Sequence, residues 1–193
     1  WLGVKVTVFV VTRRFTDWKG NGRRHYPEAA LKALAEYERR GHVIGSHTSW
    51  HPNLATEAFD VAAKSICDAD SWLQNFSSSG RRPVHFRAPH LAHSERILDF
   101  LVRCMGYRTW GGVNGGGTDH SSWEISSKHR YTWAQQYARI VRHELRMQEG
   151  PELSVVLTMH DRPHVLRFFK EYVVAICREC PSCEFKGLST KCM

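Results

Sequence analysis

The sequence predicts an α/β protein with a mainly parallel sheet, and three observations carry that prediction. Segments of strand and helix character alternate from one end of the chain to the other, the pattern of units in which each helix crosses back over a sheet. The strand-like runs, such as Val4-Lys5-Val6-Thr7-Val8-Phe9-Val10-Val11-Thr12 and Leu153-Ser154-Val155-Val156-Leu157, are rich in β-branched residues and apolar at most positions, as strands covered on both faces are. Polar side chains suited to chemistry follow three of the runs, at His47, Arg87 and His160, and α/β proteins collect function on the loops at strand carboxyl ends.

Taken in order, residues 4–12 read as a buried strand opening mid-sheet, and 13–26 as a polar loop carrying Gly20 and Gly22. Pro27 suits a first helical turn, where its missing N–H costs nothing, and Ala30, Leu31, Leu34, Ala35 and Tyr37 then fall on one face, so 27–38 is a helix. Gly41 stops it, and Val43-Ile44 is a short strand that exits into a histidine-bearing loop. Residues 56–76 place Ala58, Phe59, Ala62, Ala63, Ile66, Ala69 and Leu73 at helical spacing, with Thr56 positioned as the N-cap. Ser77 to Gly80 end that helix, 84–87 is a strand, 94–105 a third helix, and Gly106 leads into a strand at 107–110. Five glycines between 111 and 122 mark a loop of the kind that lines sites. Residues 131–148 read as a helix, 152–159 as a buried strand, 163–179 as the last long helix and 183–188 as the last strand.

At 193 residues and 42% hydrophobic, the chain suffices for one domain with a sizeable core. No run approaches ~18 consecutive apolar residues, which excludes a transmembrane helix, and the first residues lack the charged segment and cleavage site of a signal peptide. The chain starts at Trp1, so a processed product or a fragment is expected. A net charge of +8 suits anionic partners by long-range attraction, yet no Lys/Arg run exceeds pairs such as Arg39-Arg40 or Arg81-Arg82, which favours a solvated basic surface over a nucleic-acid site. Six cysteines stand at 67, 104, 177, 180, 183 and 192, the last four as C-x2-C-x2-C-x8-C. That spacing lacks the second paired knuckle of a zinc ribbon, and disulfides, free thiols and a metal knuckle all remain open.

The stretch Gly41-His42-Val43-Ile44-Gly45-Ser46-His47-Thr48-Ser49-Trp50-His51-Pro52 carries the sharpest signal. Residues four apart face the same way on a helical turn, so His47 and His51 can offer nitrogens to one point. A catalytic zinc site commonly uses three protein ligands and keeps an open position. With 12 His in 193 residues the spacing alone is weak, and its place at a strand exit is what lifts it.

The order G-H-V-I-G-S-H-T-S-W-H-P, then F-R-A-P, then V-V-L-T-M-H-D resembles the polysaccharide deacetylases (NodB-like; chitin and peptidoglycan deacetylases), metal-dependent hydrolases of N-acetylated sugars, over residues 4–189. The resemblance implies a NodB-like distorted (β/α) barrel with mainly parallel strands, in one homology domain over residues 1–193 that is truncated at its amino end. It implies that His47 and His51 bind a divalent metal, most often zinc, and that Arg87 orients a catalytic carboxylate. It further implies that Pro89 shapes the groove wall, that the backbone N–H of His90 holds the oxyanion, and that His160 is the general acid. Asp119 and Trp123 are candidates for the arginine-supporting carboxylate and the groove aromatic. The implied partner is chitin or peptidoglycan glycan, with neither nucleic acid nor membrane, and the implied location is secreted or at the cell surface.

The departures are specific. The family opens with a T-F-D-D type motif whose first Asp is the base and whose second is the third metal ligand, whereas the Asp residues here, at 17, 60, 68, 70, 99, 119 and 161, include no adjacent pair. The aromatic usually following the motif proline is His90, the glycine after it is Leu91, and Thr158 replaces a leucine. Structural alternatives stand beside each role: His160 as a core histidine, Arg87 as an ion-pair partner, Asp161 as a helix cap. A non-catalytic carbohydrate-binding descendant is the second functional expectation. A zinc protease is disfavoured because H-T-S-W-H lacks the glutamate of H-E-x-x-H.

Overall fold

In the computed structural model, residues 4–15, 28–110, 169–179 and 181 are described. The chain divides into two compact units, one of Trp1–Leu2 with Gly111–Glu184 and one of Gly3–Trp110 with Phe185–Met193. The second unit holds the described strands β1 (Thr7–Val10), β2 (Val43–Ser46), β3 (His85–Arg87) and β4 (Arg108–Trp110), which pair side by side in chain order and are parallel throughout. Parallel neighbours need a crossover. It is supplied by α1 (Glu28–Arg39) before β2, α2 (Phe59–Phe76) before β3, and α3 (Glu95–Asp99) with a π-helical turn at Phe100–Cys104 before β4. In the first unit the described helix is α4 (Phe169–Glu179), with Val173 and Ile176 buried three residues apart on one face. The expected segments at 131–148, 152–159 and 183–188, and the glycine loop at 111–122, lie outside the described residues.

Register determines where the site can be. Val10 pairs with Ser46, Ser46 with Phe86, and Phe86 with Thr109, so the next residues on lie along one rim: Val11 and His47 just past β1 and β2, and Arg87 and Trp110 as the paired last residues of β3 and β4. Beneath that rim, Leu54, Ala62, Ile66, Phe86, Ala88, Ile97, Leu101 and Tyr107 form one buried cluster, and Val10, Leu34 and Leu73 form another with Phe15, Ile44, Trp72 and Phe76 packed against it. Burying a side chain such as Phe86, Ile66 or Leu101 in full stabilises by roughly 1.5–3 kcal/mol relative to leaving it exposed. Helix α2 serves both clusters because Ala62 and Ile66 point into the first and Leu73 into the second. Its carboxyl half also carries Asp70, which accepts from Tyr107 Oη at 2.6 Å and from Arg82 Nε at 2.7 Å, tying the helix to the segments that enter β4 and β3. Burial, then the Asp70 bond, push the Tyr107 phenol well above its ordinary range.

Several expectations are corrected. The first strand pairs only over Thr7–Val10, because β2 offers four partners and ends at Ser46, after which Thr12–Arg14 turns into a short 3₁₀ helix. Within the strand Thr7, Val8 and Phe9 are half-buried rather than fully buried. Thr56 is not a cap: α2 starts at Phe59 behind Ala58, whose side chain makes no capping bond. The Thr56 and Glu57 N–H groups instead donate to Asn53 O at 3.2 and 3.0 Å, and the Ala55 N–H donates to Asn53 Oδ1 at 3.0 Å, so an asparagine turn takes over the local donors. The third helix is capped at Ser94, which accepts from the Ile97 N–H, but α geometry ends at Asp99 and the chain widens. Met105 N–H then reaches Phe100 O at 3.0 Å, and Tyr107 N–H reaches Leu101 O at 2.9 Å.

Candidate functional site

The rim loop after β2 is held from three sides. Thr12 N–H donates to Thr48 O at 3.2 Å and Arg13 N–H to Ser49 O at 2.9 Å, which extends the β1 pairing into the loop. His47 N–H donates to Val10 O at 3.0 Å. From α2, Ser65 accepts from Ser49 N–H at its carbonyl (2.9 Å) and at its Oγ (3.2 Å), and its Oγ also takes Trp50 N–H at 3.4 Å. Ser65 and Thr48 are fully buried. Thr48 Oγ1 accepts the His51 N–H at 3.1 Å, closing the turn from the inside.

His47 and His51 do converge, with ring centroids 4.9 Å apart at an interplanar angle of 74°. The cause is not the helical turn that their spacing suggests. Residues 47–52 are not helical, and Thr48 (φ 67°) and His51 (φ 65°) adopt left-handed backbone that folds the loop back on itself. The neighbouring loop after β3 does the same at His90 (φ 57°) and Leu91 (φ 55°). Non-glycine residues held this way cost about 1–3 kcal/mol each and cluster at functional sites. Four of them at the carboxyl ends of two adjacent strands single out this rim.

The β3 loop contributes three features. Arg87 lends its backbone carbonyl to His47 Nδ1 at 2.7 Å, and since a carbonyl only accepts, Nδ1 carries a proton. Pro89 is fully buried. His90 is exposed, with its ring 4.7 Å from that of His51 at 70°. Leu91 N–H donates to Ala88 O and Ala92 N–H to Pro89 O, both at 3.1 Å, which leaves the His90 N–H outside both turns. At β4, the Trp110 Nε1–H donates to Nδ1 of the fully buried His85 at 2.8 Å, so the indole that ends the strand is fixed from below.

The chemistry of the donor set suits a divalent metal: the bond to the Arg87 carbonyl places a proton on His47 Nδ1 and orients the ring in the way metal-binding imidazoles commonly are. Among the described residues, no three His, Cys, Asp or Glu side chains are already gathered into a metal-holding group. His160, Trp123, Asp119 and Asp161 lie outside the described residues, as do Cys180, Cys183 and Cys192. Cys67, Cys104 and Cys177 are exposed free thiols. Sequence reasoning missed Ser65, and the signal was available: a serine on the buried stripe of Ala62, Ile66 and Ala69 needs a hydrogen-bond partner.

The polysaccharide deacetylase family model matches residues 2–110, and those residues contain the whole rim just described. The chain belongs to the polysaccharide deacetylase family. A chitooligosaccharide deacetylase of Azorhizobium caulinodans is 34% identical over 89 residues, which are 46% of this chain and 40% of that protein. The chain thus spans well under half the length of this curated relative. The chitin deacetylase of the fungal pathogen Colletotrichum lindemuthianum superposes with a TM-score of 0.66 at 18% identity, covering 96% of this chain and 73% of that one. BA3943, a CE4 family pseudoenzyme from Bacillus anthracis, superposes with a TM-score of 0.56 at 12% identity, over 83% of this chain and 49% of the other. At these identities the two superpositions establish the fold: an α/β protein of the NodB-like distorted (β/α) barrel type with parallel strands.

Proposed function

We propose that this polysaccharide deacetylase homologue is a metal-dependent hydrolase that removes acetyl groups from N-acetylglucosamine polymers, chitin or peptidoglycan, at the rim where His47 and His51 meet. The observation that carries the reading is the anchored imidazole pair, with rings 4.9 Å apart and His47 Nδ1 on Arg87 O at 2.7 Å, in a member of this family. A divalent cation held by the two imidazoles, zinc foremost, supplies electrophilic activation of the acetamide carbonyl and of a water. The remaining tasks fall to the protein. The bond from His47 Nδ1 to the Arg87 carbonyl orients the ring in advance. The His90 N–H, outside the turns around it, donates to the oxygen that gains charge when the carbonyl is attacked. Pro89 stiffens that wall of the groove. Arg87 orients the carboxylate that takes the proton of the attacking water. His160 protonates the nitrogen, because an amine leaves a tetrahedral centre only once protonated, and Trp123 offers an aromatic face to the sugar. The same reading covers residues 1–193 as one deacetylase-like domain acting on extracellular or cell-surface glycan. No described helix is long and apolar enough to cross a membrane.

One observation favours a second reading, a catalytically inactive carbohydrate binder: among the described residues, no carboxylate joins the two histidines. The experiment measures acetate release from chitooligosaccharide with and without zinc, zinc affinity, and oligosaccharide binding, for the wild-type chain and His47→Ala. Zinc-dependent release abolished by His47→Ala supports the hydrolase. Saturable oligosaccharide binding with no release supports the binder. Equal zinc affinity of variant and wild type overturns the metal assignment.

A further inference from the structure

One short motif is left unused by the deacetylase reading. Asn75 is followed two residues later by a hydroxyl, as Asn75-Phe76-Ser77, whereas Asn21, Asn53 and Asn114 have Arg23, Ala55 and Gly116 at that place. Asn-x-Ser/Thr, with x other than proline, is the acceptor pattern for N-linked glycans, and the folded chain must leave its asparagine on the surface. Asn75 meets that condition: it is exposed on the last turn of α2.

Its position keeps a bulky group clear of the rim. Helix α2 runs back from the strand carboxyl ends, since Ser65 holds the rim loop and the end of the helix leads towards the start of β3. Asn75 follows Ser65 by ten residues, about 15 Å along the axis at a rise of about 1.5 Å per residue. The surroundings also suit a sugar. Trp72, three residues before Asn75 and so its neighbour on the helix surface, stacks on Phe76 with centroids 5.2 Å apart at 6°. Both rings are half-buried against the cluster of Val10, Leu34 and Leu73, and a glycan on Asn75 adds polar cover beside them. The order of events follows from Ser77. Its Oγ donates to Glu38 Oε1 at 2.7 Å, while Ser78 N–H donates to Glu38 Oε2 at 3.2 Å. The hydroxyl that completes the acceptor pattern is taken up by α1 in the folded chain, so transfer precedes the docking of α2 on α1.

We propose that Asn75 is an N-glycosylation site, modified as the chain enters a secretory pathway. The proposal rests on the extracellular or cell-surface location of the preceding section, and neither on the metal assignment nor on hydrolysis. In the step, Asn75 Nδ2 bonds to the anomeric carbon of the terminal N-acetylglucosamine of a lipid-diphosphate-linked oligosaccharide. The bond from that carbon to the diphosphate oxygen breaks, the lipid diphosphate leaves with the electron pair, and Nδ2 gives up one proton.

The test recovers the wild-type protein from the cells that make it, with medium, surface and interior kept apart. In parallel, wild type, Asn75→Gln, Ser77→Ala and Ser77→Thr are directed into the yeast secretory pathway behind a cleavable leader and collected from medium and lysate together. Denatured protein is treated with a peptide N-glycosidase in heavy-oxygen water, which leaves an isotopic label at each asparagine that carried a glycan, and peptides are read by mass spectrometry; the readout does not depend on any variant folding. The expected result is a label at position 75 in the wild type from both sources and in Ser77→Thr, which keeps the hydroxyl, with loss of the label in Asn75→Gln and Ser77→Ala. Wild-type protein recovered outside its own cells with Asn75 unlabelled overturns the site and leaves the location standing. Labelling of Ser77→Ala equal to wild type overturns the motif as its cause. Protein found only in the cytosol of its own cells, with Asn75 bare, overturns the location and the glycan together.

Discussion

Gly45 lies in β2 two residues before His47, and replacing it with alanine tests whether strand packing sets the geometry of the rim. A methyl group built on Gly45 meets Phe9 Cδ1 and Cε1 at 2.7 Å and His85 O at 3.0 Å. The Phe9 ring is half-buried and can yield by rotation; the His85 carbonyl belongs to β3 and can yield only by moving that strand. Adding a methyl to a packed interior costs typically 1–3 kcal/mol. Against it, alanine restricts the unfolded chain more than glycine and returns about 0.4–1 kcal/mol. The expected net effect is a destabilisation of about 1–2 kcal/mol, or a fall in Tm of roughly 2–8 °C for a chain of this size. Urea denaturation of the wild type, Gly45→Ala, Phe9→Leu and the double variant measures it. If the ring is part of the obstruction, the cycle shows a favourable coupling of at least ~0.5 kcal/mol. A Gly45→Ala variant as stable as wild type would refute the claim that β1, β2 and β3 leave no room at this point.

Three further outcomes follow from the same packing. Ser65→Ala removes the hydroxyl acceptor for the Ser49 and Trp50 N–H groups and is expected to cost about 1–3 kcal/mol in urea denaturation, with a parallel loss of zinc affinity; an unchanged zinc affinity would show that α2 does not position the rim loop. Tyr107→Phe leaves buried Asp70 without one of its two partners and is expected to destabilise by about 1.5–3 kcal/mol, since the lost bond is to a carboxylate; a neutral result would show that Arg82 alone satisfies it. His42 is held below its ordinary pKa by burial first and by Lys5 and Arg40 second, and its unprotonated Nδ1 accepts the Val6 N–H at 3.2 Å. A group depressed in the folded state contributes stability that is present above its unfolded pKa of about 6.5 and lost as pH falls through its folded value. Stability is therefore expected to decline below about pH 6.5, with a shallower decline in His42→Gln; identical pH profiles would remove His42 from the account.

Some of this protein was legible in its sequence for a physical reason: the information is local. A strand covered on both faces must be apolar along its length, and a crossover helix must repeat its apolar residues every three to four positions. Hence β1, α1, β2, α2, β3 and β4 fall where those patterns place them, within a few residues. The order of the histidine, arginine-proline and histidine-aspartate motifs is local too, and it pointed to the deacetylase family that the family match then established. Element ends were less legible because they depend on partners: β1 stops where β2 does, and Asn53 gathers the Ala55, Thr56 and Glu57 N–H groups into a turn where Thr56 was expected to start the helix.

The sequence by itself determined the fold class, the family and the pair of histidines. Only the tertiary structure decided how those histidines meet. Their spacing of four suggested a helical turn, yet the convergence comes from two left-handed residues held by Ser65 on α2, by Thr48 inside the loop and by the register of β1 against β2. The ring of His47 is oriented by a carbonyl forty residues away in sequence, and His51 meets His90 where Leu54 and His93 bridge two loops. Contacts of this kind are selected by the folded backbone rather than by local propensity, so no periodicity in the chain announces them.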